Sequence, residues 1–463
     1  MRLNSNIQPS PYNQDLTTLL PNASNPKRIP RSAHCISRKH ISPNALHVLY
    51  RLKNAGYTAC LVGGGVRDLL LGRVPKDFDV VTDANPNQVR SLFRNARIIG
   101  RRFKIVHVLF KSEVIEVSTF RGKMNNNTLI SKEGRILRDN VYGGMDDDVW
   151  RRDFTCNALY YDISDFSIID YTGGLEDVQQ GRLRLIGDPE TRYREDPVRM
   201  LRAARFRAKL GFQLDPMTEE PIARLGGLLA FIPPARLFDE SLKLFQSGHA
   251  LASFEALRDL DLFKWLFPEL DKHLSEPTGR VDRLVRTVLA ETDKRIKEDL
   301  GVNPAFLFAV LHWESVRKRL EKLVHQRVAP QDALEYAMEE TIKTAITRVA
   351  IPRRFIDTMR DIWRLQLKLS GSKQGAGQHA LMTHGGFRAA LNMLCMRAKS
   401  GEPVEQDCAY WRQFEPERAV LQKAAGDGRH HTKHVTDKQA GDKKRHRKSR
   451  RRFYKPASAR VTP

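Results

Sequence analysis

Residues 61–80 read LVGGGVRDLLLGRVPKDFDV, with three glycines, an Arg-Asp pair and two alternating aspartates in one short stretch. In a strand, alternate side chains share a face, so Asp77 and Asp79 project together while Phe78 and Val80 turn to the core. Neighbouring carboxylates repel unless a cation offsets them. For oxygen ligands a hard divalent ion is favoured, and Mg²⁺ is the usual choice. An isolated Asp-x-Asp is more often a solvated strand end, but the preceding glycine turn reverses that preference. Gly63, Gly64 and Gly65 let backbone N–H groups approach an anion closely, and the helix that follows adds its positive end. The spacing is neither GxGxxG nor GxxxxGK[ST], so dinucleotide-fold and P-loop readings fall.

Outward from this stretch, Ser42-Pro43 predicts a helix start, with Ser as N-cap and Pro at the first position. Leu46, Leu49 and Leu52 form its apolar face, and Gly56 ends it. Strands are predicted at 58–62 and 77–81, with a short helix between them. IVHVLF (105–110) and VIEVSTF (114–120) predict two more, giving a mixed sheet of at least four strands. Glu116 lies on the last of these and becomes a third carboxylate for the site if the register is right. YYDISDFSIIDYTGG (160–174) alternates in β fashion and turns at Gly173-Gly174. From about Asp188 the periodicity turns helical and stays so. The fold class predicted is α+β: a small mixed-sheet head, an elongated all-α remainder and a disordered basic tail. The divisions are a disordered segment at 1–40, a head at 41–187, a helical neck at 188–270 that binds the base and RNA, a helical body at 271–420 and a tail at 421–463.

The 463 residues carry 78 Lys and Arg against 54 Asp and Glu, a net charge of +24. Such an excess points to a polyanion. Residues 429–463 hold thirteen Lys and Arg and two Asp, so +11 of the charge sits there and +13 in the body. No apolar run approaches the ~18 residues that span a bilayer. The N-terminus lacks the apolar core of a secretory signal, so the expected location is cytoplasmic, with no membrane partner. Five cysteines (35, 60, 156, 395 and 408) show no CxxC pair and read as reduced, mostly packed thiols.

A glycine turn, then Arg-Asp, then Asp-x-Asp at a helix-plus-strand distance points to nucleotidyl transfer. In that chemistry two metals activate a hydroxyl and clamp a triphosphate. GGGVRDLLLG with DFD resembles the signature of DNA polymerase β-like nucleotidyltransferases. More narrowly it resembles the class II group, which holds tRNA CCA-adding enzymes and bacterial poly(A) polymerases. EVSTFRG (116–122), RRDFTCNAL (151–159), DYTGGLEDVQQGRLRLIG (170–187) and REDPVRMLRAARF (194–206) follow in the group's order. The resemblance is tight over about 40–245 and looser to about 415. It implies Asp77 and Asp79 as metal ligands, Asp153 as a further catalytic carboxylate and Arg152 as a nucleotide contact. Gly64 and Arg67 fall where the group binds the triphosphate. Asp196, Arg199 and Arg202 fall on the helix that reads the base edge, and the two arginines, three apart, share a helical face.

IIGRRFKIVHVLF (98–110) resembles the arginine-phenylalanine signature of the poly(A) polymerase branch, as do the triple glycine and PKDFDVVT (75–82). NPAFLFAVLHW (303–313) and IPPARLFDESLKLF (232–245) resemble that branch's helical segments. KKRHRKSRRR (443–452) suits sequence-independent backbone contact through Lys443, Lys444, Arg445, Arg447, Lys448, Arg450, Arg451 and Arg452. A solubilising or localisation run is its blander reading. The expectation is therefore template-independent addition of AMP from ATP to RNA 3′ ends, with pyrophosphate release, in RNA polyadenylation and turnover. Mg²⁺ would serve the two-metal site, with Mn²⁺ as substitute. RNA 3′ ends and proteins of RNA degradation or chaperoning are the expected partners. The alternatives are a CCA-adding tRNA nucleotidyltransferase and, more weakly, a non-catalytic RNA-binding protein. KMNNNTLISKEGRILRDN (123–140) matches no motif and is expected to be a mobile loop.

Overall fold

The computed structural model describes residues 25–100, 103–122, 129–130, 136–138, 141–275, 279–371 and 377–414. The chain divides into two compact units, 1–360 and 361–463. The first unit is built on an eight-stranded sheet. Its strands are β1 (Lys27–Ile29), β2 (Ala59–Val62), β3 (Asp79–Thr82), β4 (Ala96–Ile99), β5 (Ile105–Leu109), β6 (Val114–Thr119), then, after a small hairpin of β7 (Leu129–Ile130) and β8 (Ile136–Arg138), β9 (Leu159–Asp162) and β10 (Ile168–Asp170). The order across the sheet is β1-β10-β9-β2-β3-β6-β5-β4. Only β3 and β6 run parallel; every other pairing in this sheet is antiparallel. β11 (Arg182–Leu183) and β12 (Gln213–Leu214) form a separate parallel pair.

The helix α1 (Pro43–Asn54) starts as its sequence predicts. Ser42 Oγ accepts from Asn44 N, and Gly56 at φ +86° turns the chain away. It buries Ala45, Val48, Leu49 and Leu52, and truncating one such leucine to alanine costs about 3 kcal/mol. α2 (Gly64–Leu70) leads out of the glycine turn, α3 (Pro86–Leu92) follows β3, and α4 (Met145–Arg151) precedes β9. The sheet face that carries Val62, Val81, Tyr160 and Ile169 packs on Val149 of α4 and on Ile186.

After α5 (Gly174–Gln180), the helices α6 (Pro189–Glu195) and α7 (Val198–Leu210) begin the helical remainder. Asp188 caps α6 by accepting from Thr191 N at 2.8 Å, and Gly211 at φ +74° closes α7. α8 (Pro216–Leu225), α9 (Pro234–Phe245), α10 (Ala250–Asp259), α11 (Phe263–Leu266), α12 (Pro268–Leu274), α13 (Arg280–Lys297), α14 (Pro304–His325) and α15 (Pro330–Arg348) continue the first unit. α16 (Arg353–Gly371) runs across the division. The second unit adds α17 (Gly377–Thr383), α18 (Phe387–Lys399) and α19 (Glu405–Arg412). Its core holds Leu369, Phe387, Leu391 and Trp411, and the Trp411 indole donates to Leu369 O at 2.8 Å.

Several expectations need correction. Residues 25–40 are ordered: β1 extends the sheet edge by pairing with β10, and two short 3₁₀ turns follow at 31–33 and 38–40. The segment 123–140 carries the β7–β8 hairpin rather than being only a loop. The cysteines are not all reduced: Cys395 and Cys408 are disulfide-bonded, because α18 and α19 bring their Cα atoms to 5.1 Å. Cys35, Cys60 and Cys156 remain thiols. Asp77 lies outside the strand predicted for it, since β3 begins at Asp79, where pairing with β6 begins. Residues 1–24, Arg101, Arg102 and the basic run 443–452 lie outside the described residues.

Candidate active site

The glycine turn is built around Gly63, at φ +76° and ψ −140°, a conformation open to glycine and strained for other residues. A Cβ there would lie 3.7 Å from Asp79 Oδ2 and 4.0 Å from an Arg152 guanidinium nitrogen, and one at Gly65 would lie 3.3 Å from Asp77 O. The bend is therefore pressed against the Asp77–Asp79 segment. α2 is only seven residues long, so any anion here meets the turn's backbone amides more than a helix dipole.

The parallel pairing of β3 and β6 sets Asp79 directly beside Glu116, and the antiparallel pairing with β2 sets it beside Val62. His107, opposite Glu116 on β5, lies 3.2 Å from it through Nε2. Burial pushes the Asp79 carboxyl up to about 6; Glu116 adds to the rise, Arg152 opposes it, and Asp77 adds again. Arg152, which is itself paired with Asp148, offsets these like charges only in part. Among the described residues no three His, Cys, Asp or Glu form a ready-made metal cage. Mg²⁺ is bound through one or two carboxylates, water and substrate phosphates rather than by an all-protein cage. Asp79 and Glu116, paired across β3 and β6, offer the kind of carboxylate oxygens such an ion takes.

The other wall of the site is arginine-rich, and there Asp148, Asp153, Glu195 and Asp196 each have an arginine partner. Arg152 Nε donates to Asp148 Oδ2 at 2.9 Å and to the Tyr160 hydroxyl at 3.0 Å, and Tyr160 in turn donates to Asp148 at 2.8 Å. Burial would raise the Asp148 carboxyl, but Arg152 and the Tyr160 hydroxyl hold it below the usual range. Asp153 Oδ2 accepts from Arg202 Nε at 2.7 Å and also from the Arg202 terminal nitrogen; its Oδ1 accepts from Phe154 N at 2.8 Å. Burial opposes ionisation of Asp153 too, yet Arg202 and the Phe154 amide hold it well below the carboxylate range. Arg199 donates to Arg192 O at 2.7 Å and to Glu195 at 3.2 Å; Arg236 donates to Asp196 at 2.7 Å. Arg192 donates to Arg152 O at 2.7 Å, tying neck to head. Burial, then the neighbouring Arg199, lowers Arg192 to about 10.

Gly63, Gly64, Arg67, Asp77, Asp79, Glu116, Arg152, Asp153, Asp196, Arg199 and Arg202 all line one cavity of about 1680 Å³. Within it Asp153 pairs with Arg202, and Asp79 stands beside Glu116. Arg67 is 1% exposed and lines the cavity while donating to Asp68 at 2.7 Å and to Asn157, contacts that brace the turn. Asp148, Asn157, Tyr160, Arg236 and Glu240 were not singled out from the sequence. Asp148 had one local signal, its i,i+4 spacing to Arg152. Asn157 meets Arg67 across 90 residues and Arg236 meets Asp196 across 40.

Three family models match the chain: a poly A polymerase head domain over 59–184, a probable RNA- and SrmB-binding site of polymerase A over 211–274, and a polymerase A arginine-rich C-terminus over 326–452. Poly(A) polymerase I of Salmonella typhi is 49% identical over 85% of this chain and 87% of its own length. Poly(A) polymerase I of Haemophilus influenzae is 41% identical over 92% and 93%. The CCA-adding enzyme of Bacillus subtilis is 37% identical over only 48% of this chain and 55% of its own. Among solved structures, the CCA-adding enzyme of Bacillus stearothermophilus in complex with CTP superposes with a TM-score of 0.55 at 27% identity, over 81% of this chain and 83% of that one. No helix among the described residues is long and apolar enough to cross a membrane. The head, the helical remainder and the near-full-length likeness agree: the chain belongs to the bacterial poly(A) polymerase family of nucleotidyltransferases.

Proposed function

We propose that the protein extends RNA 3′ ends with AMP drawn from ATP, without a template and with release of pyrophosphate. The observation that carries this is the register of β3 and β6, which sets Asp79 beside Glu116 against the glycine bend in a cavity whose far wall is arginine. Asp77, Asp79 and Glu116 would hold divalent metal, Mg²⁺ with Mn²⁺ as substitute. Such ions, when bound, lower the pKa of an attacking hydroxyl and neutralise a triphosphate. The chain's own residues do the rest. Amides of the Gly63–Gly65 turn and the Arg152 guanidinium face the phosphates, and Asp148 and Tyr160 fix that guanidinium's direction. Arg199 and Arg202, held by Glu195 and Asp153, present N–H donors to the base edge. The RNA 3′-oxygen bonds to the α-phosphorus as the bond to the β-bridging oxygen breaks, and the hydroxyl proton passes to solvent or a site carboxylate.

We assign the chain's segments by role: head at 41–187, neck at 188–270, body at 271–420 and basic tail at 421–463, with the tail adding salt-sensitive RNA affinity. The cytoplasm is the proposed location. Partners from RNA degradation or chaperoning are proposed to dock on 211–274, the segment that matches the RNA- and SrmB-binding family model. Labelled ATP and CTP, offered separately on a generic single-stranded RNA, test the reading. A ladder grown with ATP supports it. Addition confined to CTP on a tRNA lacking its 3′ end would instead make this a CCA-adding enzyme.

A further inference from the structure

Beyond the cavity rim, basic side chains continue in one direction. Lys76 and Lys209 line the cavity itself. Lys209, near the end of α7, stands 3.9 Å from Asp68, whose other oxygen is taken by Arg67 at 2.7 Å. Arg73 follows α2 and donates to Leu210 O at 3.4 Å, which fixes it beside the C-terminus of α7. The turn between α9 and α10 comes next. A Cβ at Gly248 would lie 3.3 Å from Ile296 of α13, so His249 sits against the end of that helix, where Lys297 is exposed. His249 is the N-cap residue of α10, and α10 packs on both α7, which carries Lys209, and α13, which carries Lys297. Asp293 accepts from Ala250 N at 2.6 Å and Leu251 N at 3.0 Å to cap α10. Basic groups from four separate elements are therefore gathered around α7 and α10, where Asp293 is engaged by two backbone amides and Asp68 is shared between Arg67 and Lys209.

We infer that Lys209, Arg73, His249 and Lys297 form a phosphate track that holds the RNA backbone just upstream of its 3′ end as the strand leaves the cavity. The inference rests on the proposed polymerase function and adds the path of its RNA. Lys, Arg and His donate to phosphate oxygens and carry no base information, so a track of this kind suits an enzyme that extends unrelated ends. It also leads out of the cavity from the end of α7 away from Arg199 and Arg202. The strand can then leave without crossing the base-reading wall.

The test uses the full chain and the double variant Arg73→Gln/Lys297→Gln, both outside the cavity wall. Extension is measured with a trinucleotide primer and with a single-stranded RNA of about 20 nucleotides, longer than a usual single-strand site. The track predicts a KM for the long RNA raised roughly tenfold, with kcat, the KM for ATP and trinucleotide extension unchanged. It also predicts a slope of log affinity against log salt that is smaller by about 1.4, for two lost phosphate contacts. Lys297→Arg should keep the wild-type slope. An unchanged KM for the long RNA, or an equal loss with both primers, overturns the track. A raised KM for ATP overturns it too, by assigning these groups to the triphosphate. The long RNA's equilibrium affinity, read by fluorescence anisotropy, separates the two proposals. If the wild type incorporates no AMP, the polymerase reading fails, while the variant's salt slope still decides the track.

Discussion

The two walls of the cavity handle negative charge in opposite ways. On the sheet wall Asp79 and Glu116 are placed side by side by strand register, and burial and mutual repulsion push Asp79 up to about 6. On the neck wall Asp153 and Asp196 are each matched by an arginine, Arg202 and Arg236. A buried carboxylate with a guanidinium partner is already neutralised and serves to aim that guanidinium. A carboxylate facing another carboxylate keeps an unmet demand for a cation. In the proposed reaction this contrast divides the labour: the sheet wall binds the cation the protein does not itself supply, and the neck wall orients donors.

The largest expected effect lies on the sheet wall. Asp77→Ala or Asp79→Ala should lower AMP incorporation by about a thousandfold or more, the scale of losing a principal electrostatic contributor to catalysis. RNA affinity should stay nearly intact; if it falls along with incorporation, the contrast between the walls is wrong. Next in size is deletion of 429–463, which removes thirteen Lys and Arg. At low salt it should weaken RNA binding on the order of a hundredfold and flatten the salt dependence, with single-nucleotide addition surviving.

Asp153→Asn should destabilise the fold by about 2 kcal/mol, because Arg202 loses a charged acceptor in a largely enclosed setting. Asp153 is depressed below its unfolded value of about 3.9, so the wild type gains this stability above about pH 4. It loses the contribution as pH falls toward the lower folded value. Thermal melts of wild type and variant should therefore converge on acidification, and a gap that stays constant with pH would refute the pairing. The smallest effect belongs to Gly63→Ala. A side chain at φ +76° costs roughly 1–2 kcal/mol, and the added methyl, 3.7 Å from Asp79 Oδ2, should impair turnover more than RNA affinity.

Much of the head was legible because its signals are local. The Ser42-Pro43 start, the glycine bend and the period-2 alternation at 105–110 and 114–120 each lie within a few residues, and each forms the element predicted. Whatever depends on distant pairing was hidden. β1 is ordered by β10, some 140 residues downstream (Lys27 against Asp170). Asp77 looked like strand until the partner strand showed pairing only from Asp79. Cys395 and Cys408 are joined because two helices meet, which a 13-residue separation does not reveal. Arg67 was legible from its motif position, but its partner Asn157, 90 residues downstream, was not. Residue types announced the site's chemistry; partners remote in the chain decided which groups face the cavity.

The most direct test of the contrast is Mn²⁺ titration of the intact protein in the presence of ATP, followed by electron paramagnetic resonance. Wild type and Asp153→Asn should take up the ion with similar affinity, and Asp79→Asn should lose most of that uptake while melting normally. Equal uptake by Asp79→Asn, or its loss in Asp153→Asn alone, would contradict the account.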